Sequence, residues 1–284
     1  MIQDAGCNVA CDYVQVDETL PVIDNEKHRA VMGSVWRVVN VMTGDRFFFY
    51  EHGSRSTHVA MGLLKDFTGA IQSDGYIVYE HFEGMEGKKL LGCWAHARRK
   101  FFEAKVENEK LALEALSYIR RLYDVEAEAD ALDAADNKPD HERRKALRQE
   151  RAYPEIKKFE TWMEASILKC PPKSLMEEAI SYTYKILKKL SLYVTDGRYK
   201  IDNNMVENSI RPLAIGRKNY LFCGDDAAAQ RAAVVYSLLA TCKAHGVNER
   251  AWLEDVLRRV PEYEQAGKDY ADLLPANWRA LSAK

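Results

Sequence analysis

Strand patterns follow one another through residues 11–51, and this run constrains the fold more than any other feature of the chain. "CDYVQVD" (11–17) places Cys11, Tyr13 and Gln15 on one face and Asp12, Val14 and Val16 on the other. That two-residue period reads as a strand ending at Asp17. "GSVWRVVNVM" (33–42) reads as a second strand, "TGD" (43–45) as a turn, and "RFFFYE" (46–51) as a third strand running back, so the two form a hairpin.

Ser56 is placed to cap a helix through about Phe67, with Val59, Leu63 and Phe67 at fourfold spacing. "GAIQSD" (69–74) reads as a short buried strand ending at Asp74. "GYIVYEHF" (75–82) reads as a short helix or turn, and "KKLLGC" (88–93) as a fifth strand. Three meandering strands, helix, strand, helix, strand is the order of the ribonuclease-H-like fold, an α/β sheet with helices on its faces. Fold analogy of that kind does not by itself assign a function.

After Cys93 the pattern turns helical for about a hundred residues. Leu111, Ala115, Ile119 and Leu122 share one stripe, Asn137 to Asp140 is a break, and a second, charged helix runs to about Lys169. "CPPKS" (170–174) ends it, because two prolines cannot continue a helix. Ser174 with Glu177 forms a capping box for a helix through Tyr193, and Asp196-Gly197 is a turn. "LFCGDD" (221–226) reads as a loop. An Ala-rich helix closed by Gly246 follows, then a helix stopped by Pro261. The expected division is a ribonuclease-H-like core at 1–93 and 196–222, a helical insertion at 94–195 and a helical C-terminal region at 223–284.

Composition narrows the class. With 47% hydrophobic and 30% charged residues the chain reads as soluble and folded. Its apolar runs fall far short of the ~18 residues of a membrane span, and its N-terminus lacks a signal-peptide pattern. Six scattered cysteines fit a reducing cytoplasm better than a disulfide scaffold. Cys7-x3-Cys11 and Cys93-x2-His96 each supply half of a zinc site without a second pair at a recognisable spacing, so buried thiols and a packed histidine account for them. The net charge of −2 is uneven, with basic runs at 96–105 and 142–158 around an acidic run at 125–140. Such patches permit nucleic-acid binding, and ion-paired helix faces explain them equally.

Three carboxylates stand out. Asp17 and Asp74 end predicted strands, where open α/β sheets build sites. Glu207, in "IDNNMVENSIRP" (201–212), lies in the first turns of a helix beyond the helical stretch. Acidic oxygens suit Mg2+ or Mn2+, and two such ions about 4 Å apart clamp the attacking and leaving oxygens of a phosphoryl displacement. Local readings also exist: Asp17 capping a turn, Asp74 in an Asp-Gly turn, Asn204-x-x-Glu207 as a near capping box, and Glu207 paired with Arg211. Spacing leaves both sets standing.

"IQSDGYIVYEHF", "LLGCWAHARRKFFEA" and "VTDGRYKIDNNMVENSIRPLAIGRKNYLFCGDDAAAQRAAVVYSLLATCKAHGV" resemble the insertion-sequence-66 family of bacterial DDE transposases. The resemblance runs in order from about residue 11 to residue 260, and "IDNN-x-x-EN-x-IRP" with "GRKN-x-LF-x-G" is highly specific. It implies that Asp17 in "VDET", Asp74 in "SDGY" and Glu207 in "NNMVEN" form a catalytic triad holding two Mg2+ or Mn2+ ions. Arg98, Arg99, Lys100, Arg211, Arg217 and Lys218 would then hold DNA phosphates near that triad. The implied partners are transposon ends and target DNA, a second copy of the chain on DNA and accessory proteins of the element, with no membrane. The implied location is the bacterial cytoplasm, at the nucleoid. Members of the family resemble a longer protein with an N-terminal helix-turn-helix and zinc-binding region. Here sixteen residues precede Asp17 and none reads as a DNA-reading module, so a catalytic core is expected, or, in the rival reading, a non-catalytic remnant acting as a regulator.

Overall fold

A computed structural model describes residues 11–19, 22–24, 30–209, 223 and 225–282. The chain is mixed α/β, with a five-stranded mixed sheet and many helices. The sheet contains β1 (Tyr13–Thr19), β4 (Val35–Asn40), β5 (Arg46–Tyr50), β6 (Gly69–Gln72) and β7 (Lys88–Leu91), in the order β5-β4-β1-β6-β7. A separate two-stranded sheet pairs β2 (Val22–Asp24) with β3 (Ala30–Met32). The residues divide into two compact units, Met1–Gly69 with Met205–Lys284, and Ala70–Asn204.

The first unit is built on the meander expected from the sequence. β4 is buried along its whole length and pairs antiparallel with β1 and β5. The Asn40 side chain makes the turn, accepting from the Met42 and Thr43 amides at 3.0 and 3.3 Å. β1 runs two residues further than its apolar period suggests. Glu18 faces Trp36 and Thr19 faces Val35 in the ladder, so Asp17 stands inside the strand and not at its end. Partner strands, not the strand's own pattern, decide where such a ladder stops. α1 (Thr57–Leu64) starts after Ser56 and buries Val59 and Leu63, but the Ser56 side chain makes no cap hydrogen bond and the helix stops short of Phe67.

The Ala-rich segment forms α9 (Asp226–Ala244), which lies along β5. Its small residues recur every fourth position: Ala229, Ala233, Ser237 and Thr241. The Phe48 amide donates to Ser237 Oγ at 2.8 Å, and the Arg46 amide donates to Thr241 Oγ1 at 3.1 Å. At the two ends, Tyr50 donates to Asp226 at 2.5 Å and His245 lies 2.7 Å from Asp45. An uncovered edge strand would offer these backbone groups to another chain. The double variant Ser237→Ala/Thr241→Val should therefore cost about 2 kcal/mol, roughly 1 kcal/mol per lost hydrogen bond. Thermal melts check the loss, and light scattering should show the variant associating at lower concentration than the parent.

α10 (Glu249–Ala266) corrects an expectation. Pro261 lies inside the helix, which ends at Gly267 with φ +59°. A proline removes one N–H and frees the carbonyl four residues back. That carbonyl belongs to Leu257, which is exposed, so water can satisfy it. α11 (Pro275–Ser282) places Trp278 against the cluster of Cys242, Val247 and Trp252.

The second unit is largely helical: α2 (Trp94–Glu103), α3 (Glu109–Ala135), α4 (His141–Leu147), α5 (Tyr153–Ile167), α6 (Leu175–Lys185) and α7 (Leu187–Ser191). α3 buries Ala112, Ala115, Ile119 and Leu122. The break at 137–140 ends at Asp140, whose side chain caps α4 at the Arg143 amide, and Ser174 caps α6 at the Glu177 amide. A π turn over Arg148–Ala152 joins α4 to α5. Residues four apart drift by about 40° per step around a 3.6-residue helix. The wider turn offsets part of that drift, and Arg144, Arg148, Ala152 and Ile156 are all buried. Trp94, Phe101, Tyr118, Phe159 and Trp162 pack ring against ring, so both tryptophans serve this core. Among the described residues no helix is long and apolar enough to cross a membrane.

Candidate active site

In the first unit, strand alternation puts Gln15 and Asp17 on one face of β1. The register sets Arg37 of β4 directly opposite Asp17. Gln15 is fully buried and Arg37 is 2% exposed. A charge that deep needs a partner. Arg37 Nη2 donates to Asp17 Oδ2 at 2.5 Å, and Nη1 donates to the Val206 carbonyl at 2.8 Å. Gln15 Oε1 accepts from the Val206 amide at 3.1 Å.

Val206 and Glu207 belong to α8 (Asn204–Ser209), six residues long. A helix that short does not hold itself in water. Here both backbone polar groups of Val206 are gripped by side chains of the sheet, and Ser209 adds a third bond, 2.6 Å, to the Val206 carbonyl. The sheet thus fixes the backbone one residue before Glu207, which is itself half-buried. Asn204 begins α8 and does not precede it; the Asn204 amide donates to Asp202 Oδ1 at 3.1 Å. Asp17 remains 17% exposed, and its Oδ1 accepts from the Glu18 amide at 2.7 Å. Its neighbour Glu18 is committed elsewhere, to Arg55.

In the second unit, Asp74 lies two residues past β6. Its Oδ1 accepts from the Tyr76 amide at 2.9 Å across Gly75, whose φ is +87°. The local turn reading is therefore present for this residue. Asp74 Oδ2 carries no hydrogen bond among the described residues. Tyr182 of α6 donates to the Asp74 carbonyl at 2.7 Å, and a Cβ at position 75 would sit 3.0 Å from that hydroxyl. Burial, with the Asp74 charge adding to it, raises the Tyr182 pKa and keeps the hydroxyl a donor. Lys100 Nζ lies 4.8 Å over the same ring, so Tyr182 brings Lys100 and Asp74 into one neighbourhood. Arg98 and Arg99 are exposed on α2. Arg211, Arg217 and Lys218 lie outside the described residues, as does Cys7; Cys93 is buried.

Residues 8–231 match the family model for the IS66 transposase family, and residues 237–276 match that for the IS66 C-terminal element. The chain belongs to the IS66 transposase family. Three curated relatives come from Sinorhizobium fredii (strain NBRC 101917 / NGR234). Uncharacterized protein y4qI is 35% identical over 239 residues, 81% of this chain and 42% of that protein. Uncharacterized protein y4jD is 32% identical over 283 residues, 93% of this chain and 53% of that protein. Uncharacterized protein y4hP is 29% identical over 293 residues, 94% of this chain and 50% of that protein. The chain thus spans about half the length of the curated relatives it matches.

Sequence reasoning singled out Asp17 and Glu207 but missed the groups that tie β1 and Asp17 to the Val206 backbone beside Glu207. Arg37 carried a usable signal: one charge in the apolar run "VWRVVN", where a buried cation requires an acceptor nearby. Gln15 in "YVQV" gave a weaker one of the same kind.

Proposed function

We propose that this chain is a DDE transposase catalytic core of ribonuclease-H-like fold, cutting and joining DNA strands through Asp17, Asp74 and Glu207. The observation that supports it most is the Arg37 link, which brings the β1 aspartate and the α8 segment bearing Glu207 into one register. Local capping gives no reason for that meeting. The donor set fits hard divalent cations: carboxylate oxygens, partly exposed at Asp17 and without a hydrogen bond at Asp74 Oδ2. Two Mg2+ or Mn2+ ions bound by the three carboxylates supply charge that stabilises the attacking and leaving oxygens of an in-line displacement. The chain's own work is placement. β1 and α8 present Asp17 and Glu207 from backbone fixed by the sheet, and the Tyr182 bond steadies the Asp74 turn. Arg98, Arg99 and Lys100, with Arg211, Arg217 and Lys218, hold phosphates. In this reading residues 1–93 and 196–222 form the core, 94–195 an insertion and 223–284 a helical extension. It acts as a homo-oligomer on transposon ends and target DNA, with the element's accessory proteins, in the cytoplasm at the nucleoid.

The test is incubation with a labelled pre-cut transposon end, a target plasmid and Mn2+. Label joined to the plasmid with Mn2+ and lost with EDTA is the expected result. DNA retention without any metal-dependent cutting or joining would replace this reading with that of a DNA-binding regulator.

A further inference from the structure

Arg37 does more than neutralise a charge. An arginine keeps its proton at any pH a protein survives, so a buried one needs permanent acceptors. Arg37 uses two nitrogens of one rigid plane on two different elements: Nη2 on Asp17 Oδ2 and Nη1 on the Val206 carbonyl. The partners come from β1 and α8, far apart in sequence. Gln15 holds the Val206 amide from the same face of β1. A lysine could neutralise Asp17, but as a point charge it would not span both acceptors in a fixed geometry.

We infer that Arg37 is the positioning residue of this site, setting Asp17 and α8 in register and coupling cation binding at Asp17 to the seating of α8. The inference rests on the reading of Asp17 and Glu207 as metal ligands. A divalent cation at Asp17 draws on the carboxylate charge that Arg37 uses. Any change in the Nη2 bond is carried by the same plane to the Nη1 bond, and so to the residue preceding Glu207. Coupling of this kind is reciprocal: whatever alters the seat of α8 alters cation affinity at Asp17 by the same factor.

The experiment compares the full chain with Arg37→Lys. In metal-free protein, amide hydrogen exchange in α8 should be roughly tenfold faster in the variant, the effect of about one lost hydrogen bond, with β1 and β4 amides unchanged. On a labelled transposon end, kcat for strand cleavage should fall about 100-fold from misplacement of the carboxylate, with KM for DNA nearly constant. Wild-type exchange in α8 and wild-type kcat in Arg37→Lys would overturn the inference. If that variant does not fold, the wild type still decides. A slowly exchanging arginine guanidinium resonance should move on Mg2+ titration and stay still in Asp17→Asn. A resonance that stays still while Mg2+ raises the wild-type melting temperature would also overturn it. Failure of the metal reading looks different: Mg2+ then changes neither melting temperature nor any resonance of the wild type.

Discussion

Glu207→Gln is expected to abolish strand cleavage and joining while leaving the fold in place. The variant keeps nearly the same volume and loses one charged ligand. If that ligand supplies about 4 kcal/mol of transition-state stabilisation, the single-turnover rate falls by about three orders of magnitude. The fold should survive because α8 is held through the backbone of Val206, by Arg37, Gln15 and Ser209. Asp17→Asn is a less clean test. It leaves the Arg37 guanidinium, 2% exposed, with a neutral partner, and an uncompensated buried charge is itself destabilising. The check is a single-turnover assay of Glu207→Gln beside the parent, with circular dichroism on the same samples. Joining within a few-fold of the parent would remove Glu207 from the triad.

What the sequence disclosed follows the range of the interactions involved. The hairpin of β4 and β5, the break before α4 and the Ser174 cap are local, and local residues announce them. β2 and β3 are three residues each, too short to show a period. The extra length of β1 depends on Val35 and Trp36, which are distant in sequence. Pro261 misled because its cost depends on whether the freed carbonyl meets water. The π turn exists to keep fourfold-spaced residues against α3, a demand invisible within the segment itself. In the candidate site, Asp17 and Glu207 were legible as carboxylates, and the tie between Asp17 and the α8 backbone at Val206 was not. Arg37 makes that connection through space, and no spacing rule encodes it.

Glu126→Ala should produce the largest loss of stability in the second unit. Glu126 of α3 is 8% exposed and accepts from Arg148 Nε and Nη2, both at 2.7 Å, and from Arg144 Nη1 at 3.1 Å. Arg148 is fully buried, and its Nη1 donates to the Tyr193 and Asp196 carbonyls at 2.9 and 2.8 Å. Those carbonyls are neutral, so among these contacts Glu126 supplies the counter-charge. Arg144 is better protected, with Asp130 at 2.6 Å and Asp133 at 2.7 Å. Burial acts to raise the Asp133 carboxyl, but bonds from Arg144, the Asp140 amide and Arg143 outweigh it and hold it at about 2. Because that folded-state pKa is depressed, its contribution to stability is present above the ordinary aspartate value near 3.9 and is lost as pH falls towards 2. A comparison at pH 7 leaves it constant, so the measured difference reports the stranding of Arg148. Removing one partner of a buried ion pair costs about 3–5 kcal/mol. At roughly 2–4 °C per kcal/mol, the thermal midpoint should drop by about 10 °C. The double variant Glu126→Leu/Arg148→Met removes both charges and should recover most of that drop, since a well-packed apolar pair often equals a buried salt bridge. A midpoint for Glu126→Ala within 2 °C of the parent, on the order of the scatter for a surface change, would mean that the guanidinium finds solvent and that the network does not hold α4 and α5 to α3.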